Sequence, residues 1–375
     1  MARRSWWGRL WRGLLLLFLA VLVVGVLTTG GKPSALQGPP GAELAQASAL
    51  EGVQCTELTI PVTLVKDGFL KFDVVGDLCA PGEPDGRVLQ VLVSGSGYGS
   101  VYWDFPYEPD TYSYVRAALR AGYAVFNFDR LGYGRSDHPF GLLLNVDRHA
   151  DALAQVIRSL QARHDFPAVV NVGHSFGSVT SISHALRYPD QVDGIVLTGF
   201  AHNTNPEFVN AMRTGVDVAA FKGPFAGRLV DPTYLISKAD TRGDTFYNLD
   251  NVDPLVVATD ELNRQTSAVG EAMSSSKYFG PQSRELTRPV LMLLGENDFV
   301  VCGGELDCTN HAAAIAHEAE YFPPAACFEM VVRDNTDHNA NLHLDAPENF
   351  ATMLDWIERR VGPAQGGGPT QPCLP

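Results

Sequence analysis

The sequence predicts an α/β fold with a mostly parallel central sheet and helices on both of its faces. Short apolar runs alternate with helical stretches over most of the chain. Those runs lack the polar alternation of a half-exposed strand, which is typical of buried parallel strands. The 375 residues, 45% of them hydrophobic and 19% charged, can fill a large core, and this composition excludes disorder, collagen and coiled coil.

The individual elements follow from the same alternation. After an early pair of strands at 58–64 and 69–77, core strands are expected at 88–93, 124–128, 169–172, 195–198, 290–294 and 328–332. Helices are expected at 113–120, 146–162, 175–187, 311–320 and 348–360. This order of strand and helix predicts a doubly wound sheet.

The alternation stops between Phe200 and Pro289, where helical periodicity continues without a convincing core strand. We therefore expect a helical cap insertion at 201–288, lying over one end of the sheet. The core is then built from segments 51–200 and 289–361. A decorated loop region is the alternative, although structureless loops of that length are uncommon in compact domains.

The two ends of the chain differ from its body. Residues 1–32 resemble an export signal, because four arginines precede an apolar run at 13–27. Such a run covers about 22 Å as a helix against about 30 Å of hydrocarbon, which favours a cleaved signal over an uncleaved membrane anchor. Residues 33–50 and 362–375 are rich in Gly, Pro and Ala and are predicted to be a linker and a flexible tail. We expect a secreted or cell-envelope protein, with membrane attachment through the N-terminal apolar segment as the alternative.

The charge balance bears on partners. With 28 Lys+Arg against 42 Asp+Glu, the formal net charge is −14 at pH 7. No global basic field exists to attract phosphates, so nucleic acid is not an expected partner. The expected partner is a small-molecule substrate.

The chain contains 6 cysteines, which are expected to form disulfides if the protein is exported. Six cysteines allow 15 pairings, so the sequence supports only the two local ones, Cys55–Cys79 and Cys302–Cys308. Metal binding is the alternative, but the chain has no Cys-x-x-Cys pair, and no metal site is expected.

The segment Gly173-His174-Ser175-Phe176-Gly177 stands between a valine-rich strand and a predicted helix. A tight strand-to-helix turn needs glycine on both sides of the serine, since side chains there would collide with neighbouring backbone. The turn exposes the serine hydroxyl beside a helix N-terminus, whose N–H groups suit an oxyanion. Ser175 is therefore the predicted nucleophile.

A serine hydroxyl needs a base to take its proton and an acid to orient that base. The strand at 290–294 leads to Asp298, and the strand at 328–332 leads to His338. We predict Asp298 as the acid and His338 as the base, both at the carboxyl edge of the sheet. The alternatives are Glu296 and Asp307 for the acid and His343 for the base, whereas His174 and His184 are expected to be structural.

The loop 94–100 follows the first core strand and contains three glycines. We expect its Ser96 to supply one backbone N–H of an oxyanion hole and Phe176 to supply the other. Tyr98, Tyr102 and Trp103 either line an acyl pocket or cover the sheet edge. The glycine spacing fails the G-x-G-x-x-G pattern, so no dinucleotide cofactor is expected.

A second glycine-rich segment, at 129–137, contains Asp129 and Ser136. We interpret it as structural: the two side chains are expected to form hydrogen bonds within a glycine turn that shapes the bottom of the site.

Taken together, these motifs resemble the α/β-hydrolases, the superfamily of esterases and lipases. The resemblance covers roughly residues 88–345 and is carried by Gly173-His-Ser175-Phe-Gly177, Asp129-Arg-Leu-Gly-Tyr-Gly134, Gly295-Glu-Asn-Asp298 and Asp337-His338. It implies an α/β-hydrolase fold with an open cap and no cofactor.

More narrowly, the chain resembles secreted microbial and fungal α/β-hydrolases with an early cysteine pair, a Tyr102-Trp103-Asp104 segment and cysteines after the acid. It departs from the superfamily at Ser94-Gly95, where His-Gly is usual. The expected activity is cleavage of a carboxylic ester through an acyl-enzyme. A peptidase or amidase with the same triad and a non-catalytic ligand-binding protein are the alternatives.

Overall fold

The structure, a computed structural model, describes residues 50–65, 68–227 and 229–373. Its strands are β1 (Val53–Thr63), β2 (Lys71–Pro81), β3 (Leu89–Val93), β4 (Ala124–Phe128), β5 (Val169–His174), β6 (Gly194–Thr198), β7 (Val216–Val218), β8 (Tyr234–Ser237), β9 (Ser267–Ala268), β10 (Val290–Gly295) and β11 (Glu329–Arg333). Its α-helices are α1 (Pro109–Tyr112), α2 (Tyr114–Arg120), α3 (Val146–Gln161), α4 (Phe176–Arg187), α5 (Pro206–Gly215), α6 (Arg242–Phe246), α7 (Pro254–Leu262), α8 (Val269–Ser274), α9 (His311–Ala319) and α10 (Ala346–Arg360).

The central sheet has eight strands in the order β1-β2-β4-β3-β5-β6-β10-β11. β1 pairs antiparallel with β2, and β2 antiparallel with β4. All other pairs of this sheet are parallel. Every residue of β3, β4, β5, β6 and β10 is buried, as the continuous apolar runs predicted.

The core lies on both faces of this sheet because successive strand residues point to opposite sides. On β3, Leu92 belongs to one apolar cluster, whereas Leu89, Val91 and Val93 belong to another. Helices α2 and α10 contribute to the first cluster and α3 contributes to the second. The predicted α/β-hydrolase architecture, with helices covering both faces of a mostly parallel sheet, is confirmed.

The insertion between β6 and β10 contains helices α5 to α8, as expected for a cap. It is not purely helical, because β7, β8 and β9 form a separate three-stranded antiparallel sheet. These strands are only two to four residues long, too short to show as apolar alternation in the sequence.

The tail prediction was wrong up to Cys373. Cys373 is bonded to Cys327, and the Ala364 carbonyl accepts a 2.8 Å hydrogen bond from the N–H of Val88. A glycine-rich composition does not reveal such long-range attachments. The predicted pairs Cys55–Cys79 and Cys302–Cys308 are both formed.

The predicted signal or anchor at 1–32 and nearly all of the linker at 33–50 lie outside the described residues. Within the described part, no helix is both long and apolar enough to cross a membrane.

Candidate active site

Ser175 occupies the turn between β5 and α4 with φ 53° and ψ −119°, a positive φ that a non-glycine residue rarely adopts. The flanking glycines are required by space. A Cβ on Gly177 would lie 1.9 Å from the Val93 carbonyl oxygen, and one on Gly173 would lie 2.7 Å from the backbone of Gly177. The N–H of Ser175 donates a 2.8 Å hydrogen bond to the Thr198 carbonyl, which anchors the strained turn to β6.

The predicted acid and base come together at the carboxyl edge of the sheet. Nδ1 of His338 lies 2.9 Å and 3.0 Å from the two carboxylate oxygens of Asp298. Asp298 is 0% exposed and His338 is 2% exposed, so water does not compete for this contact. Asp298 also accepts hydrogen bonds from the N–H groups of Val300 and Val301. The carboxylate is thereby held in one orientation and fixes the ring of His338.

The predicted nucleophile and the predicted base face the same cavity. Ser175 and His338 both line a cavity of about 310 Å³. Among the described residues, the Ser175 hydroxyl has no hydrogen-bond partner, so the hydrogen bond from Ser175 to His338 is not formed in this structure. Contacts between nucleophile and base are commonly loose before substrate binds.

The two residues predicted to supply oxyanion donors both lie close to the predicted nucleophile, Ser175. Phe176 is the first residue of α4, and Ser96 lies on the cavity lining beside Ser175. Within the described residues, neither backbone N–H has a hydrogen-bond partner. Both donors are therefore available to a substrate oxygen.

Of the three aromatic residues predicted to bind substrate, only Tyr98 lines the cavity. Tyr102 and Trp103 are 2% and 0% exposed and are absent from the lining. The Tyr102 ring stacks on His174 with centroids 4.2 Å apart, and Trp103 packs edge-on against Tyr102. The acyl-pocket interpretation was wrong for these two residues, which are core residues beneath the site.

The cap supplies most of the cavity wall. Its apolar members are Phe208, Ala211, Met212, Val216 and Phe246, joined by Val300 from the core. Its charged members from the cap are Asp240, Arg242 and Asp244. A cavity of this volume is at the lower end of the range for small-molecule sites, about 300–1,000 Å³.

Comparison with known proteins identifies the family of this chain. Residues 110–324 match the family described as serine aminopeptidase, S33, which is more than half of the chain. The chain belongs to this family. It is accordingly a serine hydrolase with the α/β-hydrolase fold.

Two curated relatives and one solved structure illustrate how distant the similarities of this S33-family hydrolase are. It is 27% identical to 2-(acetamidomethylene)succinate hydrolase of Mesorhizobium japonicum, over 68% of this chain and 87% of the relative. It is 21% identical to 2-hydroxy-6-oxononadienedioate/2-hydroxy-6-oxononatrienedioate hydrolase 1 of Pseudomonas putida, over 62% and 78%. A thermophilic esterase from Thermogutta terrifontis has a TM-score of 0.54 at 17% identity, covering 81% of this chain and 98% of that one. At that identity the esterase shows the fold alone.

The alternative acids and bases of the S33-family hydrolase lie elsewhere. His343 is buried, and its Nε2 accepts hydrogen bonds from the N–H groups of Asn248 and Asp337. Glu296 accepts a hydrogen bond from Asn335 and lies near His311. Neither lines the cavity.

The histidine inside the elbow is structural, as expected. His174 is buried, and its Nδ1 lies 3.1 Å from the Thr198 hydroxyl. Burial, reinforced by the nearby charge of His338 when that ring is protonated, holds the pKa of His174 well below its usual range. A neutral ring at this place avoids two facing cations, since the two ring centroids are 4.9 Å apart.

The structural interpretation of segment 129–137 is confirmed. The Ser136 hydroxyl donates to the Asp129 carbonyl at 2.5 Å, and Asp129 accepts a 2.7 Å hydrogen bond from the Ser100 N–H. A Cβ on Gly134, whose φ is +46°, would lie 2.4 Å from the Asp129 carboxylate.

Sequence reasoning missed Arg242, a charged residue on the cavity lining. Its guanidinium forms two 2.9 Å hydrogen bonds with the Asp260 carboxylate and lies 4.0 Å from the Tyr98 ring centre. No sequence signal marks it, because its partner lies 18 residues away on another helix of the cap.

One group of possible metal ligands was also missed. Glu296, His311 and Asp334 bring ligand atoms within 4.8 Å of one another. His311 Nε2 is 3.3 Å from Glu296 and 3.4 Å from Asp334, distances that ion pairs among these side chains account for. The group does not line the cavity.

Proposed function

We propose that the protein hydrolyses carboxylic esters, with Ser175 as nucleophile, His338 as general base and Asp298 as the acid that orients it. The observation that carries this proposal is the cavity shared by Ser175 and a His338 ring fixed by Asp298. Ser96 and Phe176 are the proposed oxyanion donors, and Tyr98 is the proposed substrate-contacting aromatic residue.

The reaction follows from these positions. The Ser175 oxygen attacks the ester carbonyl carbon while its proton passes to Nε2 of His338. The carbonyl oxygen becomes an oxyanion that accepts hydrogen bonds from the Ser96 and Phe176 N–H groups. His338 gives the proton to the departing alkoxide, leaving an acyl-serine. Water, deprotonated by the same histidine, then releases the acid and restores Ser175.

The charges on the cavity lining favour an uncharged acyl group. Among the described lining residues, Arg242 is the one permanent cation, and Asp260 already neutralises it through two hydrogen bonds. The lining carboxylates Asp240 and Asp244 are exposed and negative. The names of both curated relatives denote dicarboxylates, whose second carboxylate would meet no unpaired cation here.

Cleavage of an amide from a free amino terminus is the second candidate. It is favoured by the family description, serine aminopeptidase, and by the two carboxylates Asp240 and Asp244 on the lining, which suit a substrate ammonium group.

A fluorophosphonate probe tests the nucleophile. Labelling of the wild-type protein and none of Ser175→Ala is expected. A wild-type protein that is not labelled, or labelling that persists in Ser175→Ala, contradicts the proposal. Neutral p-nitrophenyl esters compared with aminoacyl anilides then separate the two candidates, and faster anilide cleavage would favour the aminopeptidase.

Export is also part of the proposal, with the segment 1–32 as a cleaved signal or a retained anchor. The three disulfides among the described residues support it, since disulfides persist in oxidising compartments. Cell fractionation of the full chain is the test, with a variant lacking residues 1–32 as control. A full chain found in the cytoplasm with reduced cysteines contradicts export, and N-terminal sequencing distinguishes signal from anchor.

A further inference from the structure

Arg130 lies beneath the loop that carries the proposed oxyanion donor Ser96. It is 2% exposed, and its guanidinium donates from Nε to the Ser94 carbonyl at 2.8 Å and from Nη2 to the Gly95 carbonyl at 3.0 Å. Two neighbouring carbonyls of one loop are therefore held by one rigid, planar group.

The hydrogen bonds from Arg130, together with a 3.3 Å hydrogen bond from the Tyr98 N–H to the same Gly95 carbonyl, hold the peptide unit that contains the Ser96 N–H. The Gly95 carbonyl and the Ser96 N–H belong to the same peptide unit, which is planar and trans, so they point in opposite directions. With the carbonyl directed at Arg130, the Ser96 N–H is directed away from the guanidinium, and Ser96 lines the same cavity as Ser175. The loop is close to Ser175 there, since a Cβ built on Gly95 would lie 3.0 Å from the Ser175 Cβ.

The same guanidinium contacts the second proposed donor residue. Its central carbon lies 4.8 Å from the ring centre of Phe176 and 4.2 Å from that of Tyr133. Both distances are within the range of cation–π contacts. Arg130 thus contacts the peptide unit of one proposed donor and the side chain of the residue that carries the other.

The charge of Arg130 is balanced by Glu271 of the cap helix α8. Nη1 of Arg130 donates to Oε1 of Glu271 at 2.7 Å, and the Ser96 hydroxyl donates to Oε2 at 3.0 Å. His149 and Tyr133 also contact this carboxylate, at 2.7 Å and 2.5 Å. Burial by itself raises the pKa of Glu271, but the charge of Arg130 and the contacts with His149 and Tyr133 outweigh it and lower that pKa to about 2.

We infer that Arg130 and Glu271 are positioning residues, which aim the Ser96 N–H at the developing oxyanion and couple its orientation to the cap. This inference rests on the hydrolytic function proposed above. Because Glu271 belongs to the insertion that walls the cavity, a shift of α8 changes the support of the oxyanion loop directly. The cap thereby acts on transition-state stabilisation in addition to substrate binding.

The test compares Arg130→Lys with the wild-type protein on a neutral p-nitrophenyl ester. Lysine keeps a positive charge for Glu271 but cannot hold both carbonyls in the fixed geometry of a guanidinium. We expect kcat per labelled site to fall on the order of 100-fold, as for loss of an oxyanion donor, with KM changed less than about threefold. Affinity for a trifluoromethyl ketone, which forms a tetrahedral oxyanion on Ser175, should fall by a similar factor.

Glu318→Gln is the matched control. Glu318 forms a comparably buried pair with His202, 2.7 Å apart, and neither residue lines the cavity. We expect this variant to lower the melting temperature while kcat per labelled site and ketone affinity remain unchanged. A loss of activity in Arg130→Lys that only matches a loss of labelled sites would show a structural role and overturn the inference.

A second variant covers the case in which Arg130→Lys does not fold. Glu271→Gln keeps the size of the side chain but removes the charge that holds Arg130, and the same fall in kcat and ketone affinity is expected. The inference of a positioning role separable from stability is overturned if either variant folds and keeps its kcat and ketone affinity per labelled site. It is also overturned if both variants fail to fold. A wild-type protein with no ester hydrolysis overturns the proposed function instead.

Discussion

Asp337 and Asp298 place two carboxylates in adjoining loops at the site, and the charge of Asp298 acts on Asp337. Burial, and then this negative charge, raise the pKa of Asp337 to about 7. The N–H groups of Phe299 and His338 donate to Asp337 at 2.9 Å and 2.6 Å and oppose that rise without cancelling it. Asp337 therefore binds a proton in the folded protein at pH values where it is ionised in the unfolded chain.

The replacement Asp337→Asn should reveal this proton through stability. The pKa of Asp337 in the folded protein lies above its ordinary value of 3.8. The stability that the protonated Asp337 contributes is therefore fully present below about pH 4 and is lost as the pH rises to about 7. Asparagine cannot ionise, and its side-chain oxygen can still accept both N–H groups. We expect the free energy of unfolding of the variant to exceed that of the wild type by on the order of 4 kcal/mol at pH 8 and to match it near pH 4.

Urea titrations from pH 4 to pH 8 measure this difference. An exposed carboxylate provides the control, since Asp190→Asn should leave the pH dependence unchanged. A difference between Asp337→Asn and wild type that does not vary with pH would mean that Asp337 is ionised in the folded protein.

Replacing the two histidines of the loop before α10 separates base from scaffold. His338→Ala removes the only side chain that contacts Asp298 through a ring nitrogen among the described residues, and ester hydrolysis should fall at least 1,000-fold, on the order expected for a lost triad member. The loss is measured per folded protein, because the variant leaves the buried Asp298 carboxylate without its histidine partner.

His343→Ala should lower the stability of the protein but keep its activity. It leaves the N–H groups of Asn248 and Asp337 without their acceptor, at about 1–3 kcal/mol each if they stay buried. Activity per site titrated with the fluorophosphonate should persist in the folded fraction. Full activity in His338→Ala would refute the assignment of the base.

The disulfides should contribute unequally to stability. Cys302–Cys308 joins residues 6 apart, whereas Cys327–Cys373 joins residues 46 apart. From the loop entropy of the unfolded chain, we expect double serine variants to lose about 2 and about 4 kcal/mol of unfolding free energy, respectively.

The loss of activity should follow the reverse order and be larger in the variant that lacks Cys302–Cys308. The Cys302 N–H donates to the Asp298 carbonyl at 2.8 Å, so the shorter loop supports the proposed acid, while the longer one attaches the tail. Urea unfolding and kcat on the same ester measure both effects. A larger loss of kcat in the Cys327→Ser, Cys373→Ser protein would contradict this division.

The carboxylates Asp240 and Asp244 should discriminate against anionic substrates. With both changed to asparagine, kcat/KM for a p-nitrophenyl hemisuccinate should rise on the order of fivefold at low salt, because repulsion at an exposed site is about 1 kcal/mol. Activity on a neutral ester of equal length should not change, and 1 M salt should abolish the gain. An equal gain with Asp190→Asn would show a general effect of net charge.

The fold of this hydrolase was predictable to within a few residues at most strand and helix ends. The predicted strand 124–128 coincides with β4, and the predicted strand 290–294 differs from β10 by one residue. A continuous apolar run of this kind is buried completely only in the middle of a sheet whose two faces are covered. The local sequence pattern therefore also indicates where the strand lies in the fold.

The proposed triad was predictable from the sequence for a related reason. The strained turn at Ser175 is made possible by two glycines in the turn itself. Asp298 and His338 follow a few residues after strands β10 and β11. Parallel strands end at one edge of the sheet, so residues far apart in sequence are brought together by topology alone.

The contacts around the proposed triad could not be predicted from the sequence. Arg130 and Glu271 are 141 residues apart, and no periodicity relates them. Tyr102 and Trp103 have the composition of a binding surface but face the core, and a tail rich in glycine is held by Cys373.

By itself, then, the sequence determined the order of strands and helices in the core, the bend at Ser175 and the strand ends that carry its proposed partners, since each depends on neighbours along the chain or on strand direction. Only the tertiary structure decided which cap residues wall the cavity, which charges there are neutralised and what supports the oxyanion loop. Those properties depend on burial and on pairwise contacts between distant segments, which hydrophobic periodicity does not encode.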